Sequence, residues 1–187
     1  FEDALSIVKV RSEGMQAAGE SQTGTMAAIL NMSRKDITKV CKHASLRGIV
    51  QAANYNSPGQ IVISGETVAV HYAMEIAKNL GARKALALNV SGAFHSPLMA
   101  PAKDDLSVII EKTKFKKAKV PVVANVDASP TSDPAKIKNN LIEQLENPVL
   151  WEDTVQYMVK DGVEEIVEIG PGKVLQGLVK GIHRDMP

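Results

Sequence analysis

A single cysteine, Cys41, among 187 residues leaves no pair for an internal disulfide and no cysteine-based metal site. That sparing use fits a reducing compartment. Aromatic residues are scarce as well, at 4%, so any core must be filled by aliphatic side chains. An excess of either charge is missing: 22 Lys and Arg stand against 21 Asp and Glu, a net charge of +1, which gives no electrostatic footprint for nucleic acid. Apolar runs are short, broken by charge well before the ~20 residues a membrane span needs, so no membrane partner is expected. No H-E-x-x-H or paired-Cys pattern offers metal ligands, and no repeat or low-complexity segment is present. What is there is globular: 44% hydrophobic and 23% charged residues, on a chain long enough for one ordinary domain or two small ones. The opening residues Phe1-Glu2-Asp3-Ala4-Leu5 are not a signal peptide and read as the interior of a helix without a cap, so the chain is expected to open in mid-fold. A cytoplasmic location fits these features, with an organelle left open.

Taken in order, Phe1 to Ala18 carries Phe1, Leu5, Val8 and Met15 at helical spacing, with Ala4 beside them, which predicts an inward-facing stripe. Arg11 falls on or beside that stripe, where a guanidinium either snorkels outward or meets an anion. Residues 25–30 read as a strand. Ser33 then caps a helix with inward residues Ile37, Val40, Cys41 and Ala44. Strands are predicted at 48–53 and 60–64, joined by a turn over 54–59. A helix follows from about Thr67 to Leu80, then a strand over 85–90. The order β-α-β-β-α-β is that of the ferredoxin-like split unit. Cys41 reads as a small buried hydrophobe, and His43 and His71 as solvated.

Asn89-Val90-Ser91-Gly92-Ala93-Phe94-His95-Ser96-Pro97-Leu98-Met99 leaves a strand through glycine and reaches a Ser-Pro helix start. Pro97 pushes Ser96 into an extended conformation and suits the first helical position, while Pro101 implies a tighter turn before the helix proper. His95 thus stands on a stiff strand-to-helix loop, where helix amides disfavour extra positive charge and keep an imidazole neutral. A general base and an ordinary hydrogen-bonded histidine both fit these local features. Beyond it come a helix with Leu106, Ile109 and Ile110, and a basic connection. That run, with Lys112, Lys114, Lys116, Lys117 and Lys119, is either a solvated loop or a surface for an acidic partner. A strand over 120–126, a helix from Asp133-Pro134, a helix from Trp151, a strand over 163–169 and a last helix with Val174 and Leu178 complete the reading. Gly170-Pro171-Gly172-Lys173 lacks phosphate-loop spacing and reads as a tight turn.

Several stretches together resemble one family, the malonyl-CoA:acyl carrier protein transacylases and the related acyltransferase domains of polyketide synthases. They are Arg11 with Met15, Gly24-Thr25-Met26-Ala27-Ala28, Ala53-Asn54-Tyr55-Asn56-Ser57-Pro58-Gly59-Gln60, Ala93 to Met99, Asn125-Val126-Asp127-Ala128, Asn147-Pro148-Val149 with Trp151, and Glu168 to Leu175. The resemblance implies an α/β fold: part of an α/β-hydrolase-like larger subdomain, over 1–22 and 91–187, with an inserted ferredoxin-like subdomain over 23–90. It implies a ping-pong transfer of malonyl from malonyl-CoA to the phosphopantetheine thiol of acyl carrier protein through a serine ester, with no bound cofactor and no metal. His95 would be the base, with its ring oriented by the backbone carbonyl of Gln144. Arg11 would hold the malonyl carboxylate, Met15 and Asn56 would shape the site, and Phe94 would leave little room for a branched acyl group.

One departure is large. The family's serine lies in a G-x-S-x-G elbow upstream of the arginine helix, and no serine here has glycine two before and two after it. Ser57, Ser91 and Ser96 are poor substitutes. The chain therefore resembles the C-terminal part of such an enzyme and is expected to be inactive alone. The competing reading is a non-catalytic module that binds acyl carrier protein through the lysine run. A polyketide extender-unit acyltransferase is the alternative in substrate.

Overall fold

The computed structural model of the chain describes residues 1–186. Its four-stranded sheet is antiparallel in the order β2-β3-β1-β4, built from β1 (Gly24–Leu30), β2 (Val50–Ser57), β3 (Gln60–Glu66) and β4 (Lys84–Ala87). Helix α2 (Arg34–Ala44) lies between β1 and β2, and α3 (Thr67–Asn79) between β3 and β4, so the predicted β-α-β-β-α-β order is the observed one. Alternation along the strands explains the packing. Ala27, Ile29, Ile61 and Ile63 meet Ile37, Val40, Cys41 and Ala44 of α2 and Ala69, Val70, Ala73 and Ala77 of α3 in one core. The opposite face carries Met26, Ala53 and Val62, against which Leu88 and Phe94 pack. Local chemistry fixes the start of α2, where Ser33 Oγ accepts from the Asp36 amide at 3.1 Å.

Helix α1 (Glu2–Ser21) departs from expectation. Phe1, Leu5 and Val8 are 90%, 54% and 60% exposed, whereas Ile7 and Ala18 are buried. Residues 7, 11, 14 and 18 share one helical face. That face packs on Met99, Ala102, Leu106, Ile110 and Leu145, with Met15 at its side. Both stripes satisfy the helical period; the small residue Gly14, where a Cβ would lie 3.2 Å from the Ala102 Cβ, permits close approach only on the observed one.

After the His95 loop a 3-10 helix, Pro97–Ala102, precedes α4 (Lys103–Lys112), as Pro101 requires. Then come β5 (Val122–Val123), β6 (Pro130–Thr131), α5 (Pro134–Glu143), α6 (Trp151–Lys160) and α7 (Val174–Ile182). Four expectations are corrected. β2 continues through Asn54 to Ser57, because that stretch pairs with Val62 to Gln60 through two irregularities, leaving only Pro58-Gly59 as the turn. β4 stops at Ala87 rather than running to 90. The strand expected over 120–126 shrinks to Val122–Val123, paired only with Pro130–Thr131. The strand expected over 163–169 finds no ladder among the described residues and leaves Val167 and Ile169 71% and 95% exposed, since strand propensity without a partner does not make a strand. No helix among the described residues is long and apolar enough to cross a membrane.

Candidate active site

The loop that carries His95 is wedged beneath the end of α1. A Cβ built on Gly19 would lie 2.6 Å from the Ser91 carbonyl oxygen, and one on Gly92 would lie 3.1 Å from the Gly19 Cα. The two glycines thus let helix and loop backbones touch. Ser96 is buried and extended, and its hydroxyl donates to the Ala93 carbonyl at 2.6 Å and accepts from the Leu98 amide at 3.3 Å. Between these anchors His95 takes a left-handed conformation, φ +58, which costs a residue with a Cβ about 1–2 kcal/mol. Such a conformation persists only where the surroundings hold it.

The ring of His95 lies with Nδ1 2.9 Å from the Gln144 carbonyl oxygen. A carbonyl only accepts, so this contact places the proton on Nδ1 and leaves Nε2 with a free lone pair. The side-chain Nε2 of Gln144 is also 3.4 Å from the same ring atom. Burial pushes the imidazole below its usual pKa, the Gln144 carbonyl opposes that, and the charge of Arg11 pushes it further down. The ring is therefore neutral near pH 7. Its neutrality was expected from helix amides, whereas burial is the leading cause.

Arg11 sits half-buried on the packed face of α1, and burial lowers its pKa. Among the described residues no carboxylate pairs with it. Its charge is felt at His95, so the head group does not simply snorkel away. Met15 and Phe94 pack on one cluster with Met99 and Leu145, beside these polar groups. The structure thus brings together His95, Gln144, Arg11, Met15 and Phe94. Asn56 is half-buried at the second irregularity of β2 and makes no hydrogen bond to His95 among the described residues. An unpaired guanidinium beside a neutral imidazole with a free nitrogen can receive an anionic ligand and accept a proton from a group near it.

Residues that sequence reasoning missed hold this arrangement. Gln51 of β2 donates from Nε2 to the carbonyls of His95 and Glu146, both at 2.9 Å. The Val149 amide donates to the Ala53 carbonyl at 2.8 Å, and the Tyr55 amide to the Val149 carbonyl at 2.9 Å. Arg34 pairs with Glu152 and Asp153 at 2.8 Å each and lies over the Tyr55 ring. Lys103 bridges Glu143 and Glu146 at 3.0 Å. The only sequence signal for Gln51 was a long polar side chain inside the apolar strand Val50-Gln51-Ala52-Ala53.

The remaining candidates are bland. Cys41 is buried, and burial lifts its thiol pKa to about 12. His43 and His71 are exposed, as expected. Lys112, Lys114, Lys116, Lys117 and Lys119 are exposed too, and none forms an ion pair among the described residues. At the Gly170–Lys173 turn the Glu168 carboxylate accepts from the amides of Leu175 and Gln176, filling the helix start with a residue of the chain itself. No cluster of three His, Cys, Asp or Glu residues able to hold a metal occurs among the described residues.

The chain is similar to known proteins in sequence and in fold. The profile described as "Acyl transferase domain" matches residues 1–187. The malonyl CoA-acyl carrier protein transacylase of Bacillus subtilis (strain 168) is 45% identical over 185 residues, covering 98% of this chain and 58% of the relative. The solved structure of the malonyl CoA-acyl carrier protein transacylase from Coxiella burnetii superposes with a TM-score of 0.96 at 40% identity, covering all of this chain and 59% of that one. A type II polyketide acyl-carrier protein in complex with its malonyl-transacylase matches with a TM-score of 0.92 at 41% identity, over 97% of this chain and 59% of that one. The chain thus spans about three fifths of the length of the relatives it matches.

Proposed function

The chain belongs to the acyl transferase domain family, and on that premise we propose that it carries the histidine and arginine half of a malonyl-transfer site. The observation that carries the reading is the pairing of a neutral His95, held at Nδ1 by the Gln144 carbonyl, with an Arg11 that no carboxylate of the described residues satisfies. In the proposed reaction a serine oxygen attacks the thioester carbonyl of malonyl-CoA while His95 Nε2 takes its proton. The imidazolium then returns that proton to the departing coenzyme A sulfur. The phosphopantetheine thiol of acyl carrier protein attacks the resulting malonyl-serine ester, His95 taking the thiol proton and returning it to the departing serine oxygen. Arg11 pairs its planar fork with the free carboxylate of the malonyl group, and Phe94 and Met15 bound the acyl chain. Asn56 is assigned a lesser role, in shaping the site beside His95. Neither a bound cofactor nor a metal takes part.

The serine and its oxyanion donors belong, on this reading, to sequence outside these 187 residues, which lack a G-x-S-x-G elbow, so the chain alone binds and does not transfer. Residues 23–90 are read as the ferredoxin-like insertion, which the strand order β2-β3-β1-β4 supports, and 1–22 with 91–187 as part of an α/β-hydrolase-like subdomain. Acyl carrier protein, acidic in its proposed docking surface, would meet Lys112, Lys114, Lys116, Lys117 and Lys119. A cytoplasmic setting accords with this chemistry.

Calorimetric titration with malonyl-CoA and acetyl-CoA, with intact-mass measurement, tests the reading. Malonyl-CoA should bind more tightly than acetyl-CoA, Arg11→Met should abolish the difference, and no covalent malonyl adduct should form on this chain. Equal binding of the two thioesters would refute the role of Arg11, and an adduct would place a nucleophile within the 187 residues.

A further inference from the structure

Gln144 presents two opposite partners to one ring atom of His95. Its carbonyl oxygen, 2.9 Å from Nδ1, calls for a proton on that nitrogen; its side-chain Nε2, 3.4 Å away, would donate to a bare one. The first contact makes the Nδ1–H tautomer, with a free basic Nε2. The second makes the Nε2–H tautomer, which cannot take a proton at the position where a base is needed. The two contact distances differ by 0.5 Å (3.4 against 2.9 Å), so which partner governs the ring depends on how the 93–96 loop is held against the 144–147 segment.

Gln51 ties those two segments together. Its amide nitrogen reaches the His95 carbonyl, 44 positions away in sequence, and the Glu146 carbonyl, 95 positions away, at 2.9 Å each. Both partners only accept, so the amide must present its NH2 to them, and both of its protons are used. The base of this tie is stiff. β2 is paired to β3 over its length, and two residues beyond Gln51 its Ala53 carbonyl receives the Val149 amide. His95 itself sits at φ +58, a conformation that its surroundings must hold, and the hydrogen bond from Gln51 to its carbonyl is one of those holds.

We propose that Gln51 is a positioning residue that selects the tautomer of His95 by tying the histidine loop and the Gln144–Asn147 segment to one strand. It does not touch the reacting atoms. The inference deepens the malonyl-transfer reading, in which His95 is the base, and it acts at that same site.

The test reads the tautomer directly and needs no transfer reaction, so it stands apart from the test of malonyl binding. Nitrogen-15 shifts of the His95 ring, assigned by their loss in His95→Asn, report which nitrogen carries the proton. In the unmodified chain at pH 8 the Nδ1–H form should predominate. In Gln51→Met, similar in size but with no donor, and in Gln51→Glu, which at that pH presents only acceptors, the Nε2–H form should become the major one. Either variant folded with the original tautomer ratio overturns the proposal, as does a loss of stability in urea unaccompanied by a tautomer shift. The unmodified chain gives a second readout: through-hydrogen-bond couplings from Gln51 Nε2 to the carbonyl carbons of His95 and Glu146. Their presence supports the tie, and their absence overturns it even if both variants fail to fold.

Discussion

Replacing Gly19 by alanine sets two opposing effects against each other at the point where α1 meets the His95 loop. Alanine is the better helix former, by about 0.8–1 kcal/mol in a helix interior. Against it, the new Cβ would lie 2.6 Å from the Ser91 carbonyl oxygen and 3.3 Å from the Gly92 Cα. Carbon and carbonyl oxygen ordinarily approach no closer than about 3.3 Å, so the helix or the loop must give way by roughly 0.7 Å. The obstructing atoms are backbone, and no rotamer change relieves them. Overpacking costs about 1–3 kcal/mol, and a contact this short against backbone falls in the upper half of that range, about 2–3 kcal/mol, so the net expectation is a destabilisation of about 1–2 kcal/mol in spite of the propensity gain. Gly177 provides the matched control. It also lies in a helix, α7, and a Cβ there meets nothing within 4 Å, so Gly177→Ala should stabilise by about 0.5–1 kcal/mol. Urea denaturation followed by circular dichroism, with the slopes compared before the midpoints, separates the two variants. If Gly19→Ala matches or exceeds the unmodified chain in stability, the close contact does not constrain the loop and the account of its wedging is wrong.

The lowered pKa of His95 makes stability depend on pH in a defined direction. Since the unfolded chain binds this proton more readily, the unmodified chain should lose stability relative to His95→Asn as pH falls through about 6.5, the ordinary imidazole value, until the folded ring is itself protonated. Above that range the difference between the two should be constant, and parallel denaturation curves from pH 8 to 5 would contradict it. A carboxylate seated on Arg11 should offset the charge that depresses His95, so saturation with a malonate monoester should raise the His95 pKa in an NMR titration; an unchanged value would separate the two residues. Cys41, with its thiol near 12, should react with iodoacetamide at pH 8 on the order of a thousandfold more slowly in the folded chain than in urea, and comparable rates would mean that the core around α2 opens freely.

Features written in adjacent residues were legible in the sequence. Ser33 followed by Asp36 caps α2, Asp133-Pro134 opens α5 with Asp133 accepting from Ala135 and Lys136, and Ser96-Pro97 with Pro101 yields a 3-10 turn before α4. Strand alternation was equally local, and it placed the β-α-β-β-α-β order correctly. The face of α1 was not legible, because Phe1-Leu5-Val8 and Ile7-Arg11-Gly14 obey one period and only the close approach of Ala102 to Gly14 distinguishes them. Residues 163–169 failed for a related reason: a run of strand-forming side chains specifies a strand only together with the neighbour that completes its hydrogen bonds.

The site divides along the same line. His95 could be found from its loop, and Arg11 from a charge on an apolar helix face. What makes the histidine neutral could not, since burial and the neighbouring guanidinium are properties of the assembled core. The Gln144 carbonyl has no side-chain signature at all; it was reached only through family resemblance. Gln51 marks the boundary between the two kinds of information. A glutamine in a strand that packs on both faces must find partners for its amide, because an unsatisfied buried donor costs about 1–3 kcal/mol. That obligation is readable from Val50-Gln51-Ala52-Ala53 alone. The identity of the partners, carbonyls 44 and 95 positions away on the two segments that meet at the histidine ring, exists only in the fold. A polar side chain out of pattern in an apolar strand is thus evidence of a tertiary tie, and the functional meaning of that tie depends on which backbones it joins.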